Sequence, residues 1–152
     1  MRKIMYALVL FALATPLLAS DDSFAGTWKL NAEKTKYTTG TPSKDVTIVI
    51  EEQGDNVQVT ATGTYVDGSP LSVKYTIPAK GGMGTVETGD FDGISSKMVG
   101  KHTRELRYMK DGKEIRTRRM VLSEDGKTMQ STVKGTNATG TKVSGTDFFD
   151  KQ

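Results

Sequence analysis

The chain has 152 residues, 36% of them hydrophobic, and a formal charge of +3, which suits one domain and not two. It has no cysteine and one histidine, His102, which excludes disulfide staples, thiol chemistry, cysteine metal sites and any histidine pair as a metal site or proton relay. Arg2 and Lys3 are two of the 21 basic residues; without them 19 stand against 18 acidic ones, a formal +1, and so neutral a domain has no general attraction to nucleic acid or anionic lipid.

Arg2 and Lys3 precede an uncharged apolar run from Ile4 to Leu18, and Pro16 stands ahead of the small residues Ala19 and Ser20. This is the layout of a secretory signal, and the run is short for a membrane span. Cleavage near Ser20 is expected, with an uncleaved anchor as the alternative. Residues 1–20 are then a signal peptide and 21–152 one mature domain. Without a cysteine to carry a lipid anchor, the product is expected to be soluble, in the periplasm or the medium.

Beyond the leader the pattern is strict alternation, the mark of strands with one buried face. Val57, Val59, Ala61, Gly63 and Tyr65 alternate with polar residues, as do Leu71, Val73, Tyr75 and Ile77. The polar positions are rich in threonine, which fits a pleated, half-exposed surface. Gly54-Asp55, Asp67-Gly68, Asp111-Gly112 and Asp125-Gly126 supply residues that tolerate positive φ, as tight hairpins require. Strands are predicted near 24–31, 45–53, 56–66, 70–78, 83–88, 94–99, 102–110, 113–123, 127–135 and 142–150. Residues 32–44, polar and carrying Gly40 and Pro42, read as a loop across one end. The glycine-rich stretch 78–93 reads as weak strands at a rim. The fold class is all-β: a single antiparallel up-and-down barrel of about 8–10 strands, since closure leaves no free edge.

The opening strand, Phe24-Ala25-Gly26-Thr27-Trp28-Lys29-Leu30-Asn31, resembles the Gly-x-Trp strand of lipocalins and fatty-acid-binding proteins. The whole layout is similar to small exported bacterial proteins of lipocalin-like type. The resemblance implies a closed antiparallel barrel with an internal cavity for a small apolar or amphipathic ligand. It also implies that Gly26 and Trp28 form a structural plug at the closed end, with the indole stacked under an arginine. Two features depart from fatty-acid-binding proteins: 32–44 does not read as a helical pair, and 143–150 holds no arginine.

Little in the sequence points to catalysis. There is no phosphate loop, no Gly-x-Ser-x-Gly and no His-Glu-x-x-His. Asp55, Asp67, Asp111 and Asp125 stand at turns, where they serve backbone geometry. No catalytic residue, cofactor or metal is expected.

The stretch 104–119 concentrates positive charge: Arg104, Arg107, Lys110, Lys113, Arg116, Arg118 and Arg119 against Glu105, Asp111 and Glu114. Leu106 and Tyr108 mark the inward face of its first strand, which turns His102 and Arg104 inward too. A two-residue turn at Asp111-Gly112 sets Arg104 opposite Arg119, with Ile115, Thr117, Arg119 and Val121 facing in. A three-residue loop sets Arg104 opposite Arg118 and turns Glu114, Arg116 and Arg118 inward. The first register buries fewer charges and is favoured. Arg104 and Arg119 are then expected to clamp the acidic head of an amphipathic ligand, with Tyr65, Tyr75 and Tyr108 lining the cavity. The plain alternative satisfies one of these arginines with Trp28 or with backbone carbonyls.

The expected partner is a small amphipathic molecule, with a carboxylate among the options, held by a monomer. The alternative is a barrel filled by side chains whose loops bind a protein. Nucleic-acid binding is disfavoured by near neutrality and by the lack of aromatics among the basic residues. Asn137-Ala138-Thr139 is a glycosylation sequon usable only in a eukaryotic host.

Overall fold

A computed structural model describes residues 23–152. The expected signal peptide, residues 1–20, and its expected cleavage site lie outside the described residues. Those residues form twelve strands and no helix: β1 (Gly26–Leu30), β2 (Lys36–Thr39), β3 (Ser43–Gln53), β4 (Asn56–Tyr65), β5 (Pro70–Pro78), β6 (Gly81–Met83), β7 (Thr85–Thr88), β8 (Gly93–Gly100), β9 (Thr103–Lys110), β10 (Lys113–Leu122), β11 (Thr128–Thr136) and β12 (Lys142–Lys151). Each long strand alternates buried with exposed positions, and the turns β3–β4, β4–β5, β9–β10 and β10–β11 fall on the Gly-Asp and Asp-Gly pairs, while β8–β9 turns at Lys101-His102.

All pairings are antiparallel, in the order β6-β8-β9-β10-β11-β12-β1-β3-β4-β5-β7. β12 returns to β1 through Trp28↔Lys151 and Leu30↔Phe149, which bends the meander round on itself. The sheet's two ends, β6 and β7, are consecutive in the chain and span the remaining seam. β6 pairs with β8 and β7 pairs with β5. Between them the Gly84 amide donates to the Ile94 carbonyl at 2.9 Å. The result is a nearly closed barrel. Its core includes Trp28, Ile94, Leu106 and Met129, all fully buried, and each such side chain contributes about 1.5–3 kcal/mol.

Two strands exceed the sequence expectation, and both lie where alternation is weak. The segment predicted as one strand at 83–88 divides at Gly84 because its halves pair with different neighbours. The segment 32–44, expected to be a loop, contains β2, which pairs with β12 and sets Tyr37 opposite Gly145. A Cβ at Gly145 would lie 2.4 Å from the Tyr37 ring, so the ring rests directly on glycine backbone. The four residues of β2 are polar or half-exposed and leave no apolar alternation to read.

The hairpin of β9 and β10 corrects the predicted register. The two-residue turn at Asp111-Gly112 forms, with φ of 50° and 75° and Lys110 opposite Lys113. A β-bulge at Ile115 then adds one residue to β10, so Arg116 opposes Tyr108, Arg118 opposes Leu106 and Met120 opposes Arg104. From the bulge onward every side chain of β10 changes face. Arg119 therefore opposes Glu105 and not Arg104. The neighbouring strand accommodates the bulge with Gly135, at φ 137°, where a Cβ would lie 2.3 Å from the Ile115 carbonyl oxygen.

Gly135→Ala is expected to cost about 2 kcal/mol or more, because it combines backbone strain with a clash against main chain. Gly54→Ala, at φ 63° with nothing near the new methyl group, is expected to cost about 1–2 kcal/mol, from conformation alone. Urea unfolding of both variants measures the difference; equal costs would mean that Gly135 does not hold the bulge.

Candidate ligand-binding site

Two cavities open into the barrel. One, of about 710 Å³, is mainly apolar and is bordered by Phe24, Val57, Ile77, Met98 and Leu106 together with Arg104. The other, of about 640 Å³, is bordered by Tyr65, Phe91, Tyr108, Arg116 and Arg118 among others. Val59, Tyr75 and Met120 line both and form the partition between them. Each volume lies within the range of small-molecule sites.

Arg104 opens β9 between two methionines, Met98 on β8 and Met120 on β10. It is 7% exposed. Nη2 donates to the Ala79 carbonyl at 2.9 Å and Nη1 to Ser96 Oγ at 3.3 Å. No carboxylate among the described residues pairs with it. Burial depresses its pKa, partly offset by Tyr75, because a cation removed from water loses hydration that neutral partners only partly replace. The two bonds use two of the five N–H donors of a guanidinium.

The second cavity is built by the bulge, which turns Arg116 and Arg118 inward. Arg116 forms a two-pronged ion pair with Asp90, one prong at 2.9 Å. Its guanidinium lies 4.9 Å from the Tyr108 ring centre and 5.5 Å from that of Phe91. Phe91 and Tyr108 meet edge to face at 4.7 Å. Arg118 Nη1 donates to Ser131 Oγ at 2.8 Å and to Asp147 Oδ2 at 3.1 Å. The Tyr37 hydroxyl donates to the same Asp147 oxygen at 2.9 Å.

Asp147 is 2% exposed, and its Oδ1 has no partner among the described residues. Arg118 and Tyr37 thus carry the whole task of offsetting a buried carboxylate. Burial opposes the charge on Arg118, but Tyr108, Asp147 and Tyr37 outweigh it and raise its pKa above the ordinary arginine range. Burial also raises the Tyr75 phenol well above its usual range, reinforced by Tyr108, and raises that of Tyr65, reinforced by Asp90.

The sequence-predicted residues divide four ways. Arg104 borders the apolar cavity, Tyr65 and Tyr108 border the tyrosine-lined one, and Tyr75 borders both. Arg119 joins neither: it bonds Glu105 at 2.6 Å on the outer face, so the two arginines of the expected clamp are not brought together. Trp28 is fully buried and Nε1 donates to the Phe24 carbonyl at 2.9 Å. The cation over its ring is Lys151, at 5.4 Å, where an arginine was expected; the lysine chain crosses the space left open at Gly26. Asn137 shapes the β11–β12 turn by accepting from the Thr139 and Thr141 amides.

Sequence reasoning missed Asp147 and Tyr37, and it set aside an inward Arg116 and Arg118 by favouring the register that turns Arg119 in. Asp147 shares strand parity with Val143 and Phe149, and a carboxylate on an apolar parity is a readable signal. Arg116 and Arg118 share parity with Met120 and Leu122, but Ile115 and Val121 mark the opposite parity, and only the bulge reconciles the two.

No protein-family model matches the chain, and no curated protein does. Similar solved structures include a redesigned β-barrel, mFAP1, bound to DFHBI, at 19% identity over 81% of this chain and 92% of that one, with a TM-score of 0.42. Another is EF1p2_mFAP2b bound to DFHBI, at 14% identity over 84% and 93% of the two chains, with a TM-score of 0.47.

Burial pushes the Tyr37 phenol up to about 12, with Asp147 reinforcing the shift and Arg118 opposing it. A folded-state pKa above the unfolded value of about 10 gives stability that is complete below pH ~10 and lost as the pH rises towards ~12. Tyr37→Phe is therefore expected to be less stable than the parent at neutral pH by about 1–3 kcal/mol. The gap should close over that alkaline window. Urea titrations across pH test this, and a gap independent of pH would contradict it.

Proposed function

We propose that the chain is an exported, non-enzymatic binding protein that holds a small amphipathic acid inside the barrel. The ligand's acidic head lies on Arg104 and its tail in the apolar cavity. One observation carries this reading: Arg104 is a buried guanidinium without a carboxylate partner among the described residues, on the wall of a cavity of about 710 Å³. An acidic head supplies the missing charge and accepts from the remaining N–H donors. Phe24, Val57, Ile77, Leu106 and Met120 offer apolar surface for a tail, and the flanking methionines can adjust to its shape. The two cavities favour a carrier or sensor over a barrel filled by its own side chains. Export rests on the basic start and the apolar run from Ile4 to Leu18. A barrel of this type can act as a monomer in the periplasm or the medium.

The test uses laurate as the probe, with calorimetric titration of the parent and of Arg104→Leu. The parent is expected to bind saturably, and the variant at least about tenfold more weakly, the scale of a lost charge-assisted hydrogen bond. The variant's stability should stay level or rise, since an unpaired buried cation has been removed. Equal affinity in the two proteins would overturn the assignment of the head to Arg104.

A further inference from the structure

The tyrosine-lined cavity differs in chemistry from the one at Arg104. Its two inward guanidiniums are already neutralised, Arg116 by Asp90 and Arg118 by Asp147. At the rim, Asp67 and Lys142 add one charge of each sign. The cavity therefore offers an acid no net attraction, and an anion bound there would compete with two carboxylates for the same arginines.

Hydrogen-bond donors remain. Arg118 spends only Nη1 on Ser131 and Asp147, and its side chain is 24% exposed where it borders this cavity. Tyr108 borders this cavity and lies within the electrostatic reach of Arg118, and its phenol brings an O–H donor. Tyr65 brings a second hydroxyl to the mouth. The walls are aromatic: Tyr75, Phe91 and Tyr108 meet edge to face at centroid distances of 4.7 to 6.5 Å, an arrangement that extends readily to one more ring.

We infer that this cavity is a second ligand site, separate from the one at Arg104, which takes a small neutral aromatic compound through an oxygen acceptor. The acceptor, a carbonyl or phenol oxygen, lies on the Tyr108 hydroxyl and the spare donors of Arg118, and the ring packs among Tyr75, Phe91 and Tyr108. Neutrality follows from the balanced charges. A cavity of about 640 Å³ accommodates one or two rings. The assignment does not depend on what binds at Arg104, because Tyr75, Val59 and Met120 stand between the two cavities.

Two probes of matched size separate neutral from anionic recognition: 4-hydroxyacetophenone in its neutral form and 4-hydroxybenzoate. Titration followed by amide chemical shifts reads both affinity and location. The ketone is expected to bind saturably and more tightly than the carboxylate, with the largest shifts near Tyr65, Tyr108 and Arg118 and little change near Ile77 and Arg104. Tyr108→Phe should weaken it by about tenfold, the scale of one hydrogen bond, and Tyr65→Phe by less. The variant spectra also report whether the barrel stays folded. Tighter binding of the carboxylate, shifts centred on Arg104, no saturable binding, or full affinity in folded Tyr108→Phe would each overturn the proposal.

Discussion

The β-bulge at Ile115 fixes which charges the barrel encloses. Up to that residue β10 follows the register set by the Asp111-Gly112 turn. Beyond it, one unpaired residue reverses the face of every side chain to the end of the strand. Arg116 and Arg118 thereby enter the interior, Met120 and Leu122 enter the core, and Arg119 leaves for the surface and Glu105. Gly135 on β11 makes room for the displaced backbone. Without that room, β10 would present Val121 and Arg119 to the interior and lose the aromatic and ionic contacts that close this end.

Enclosing arginines imposes a second constraint, which the two cavities meet differently. Arg118 is offset by Asp147, itself held by Tyr37 from β2. A four-residue strand on the edge of β12 thus completes a buried ionic cluster, and its ring can do so only because Gly145 lets it lie against the backbone. Among the described residues Arg104 has only a carbonyl and a hydroxyl. A buried ion pair leaves little to offer a ligand, whereas a buried cation with neutral partners gains by accepting an anion. This contrast in pairing is the ground for proposing an acid in one cavity and a neutral acceptor in the other.

The large features were legible in the sequence because they repeat. Alternation and Asp-Gly turns place ten strand regions close to where they form, and the apolar parity of Leu106 and Tyr108 correctly turns Arg104 inward. What escaped was local and unrepeated. A bulge leaves no mark beyond the clash of parities between Ile115 and Met120, and its cause lies twenty residues along, at Gly135. β2 has too few apolar residues to alternate, and its reason for pairing is a contact with Gly145. Arg104 and the three tyrosines were reached by parity alone. Asp147 and Tyr37 needed knowledge of which strands adjoin.

Capture of an acid in the apolar cavity requires Arg104 to be a charged receptor inside the barrel and not only a brace for the Ala79 carbonyl. Its Nε–H resonance, observed by ¹H–¹⁵N correlation while laurate is added, reports on that group directly. A saturable shift of the Arg104 signal, with those of Arg118 and Arg119 unchanged, is the predicted result. An Arg104 signal that stays fixed while laurate binds elsewhere on the protein would contradict it.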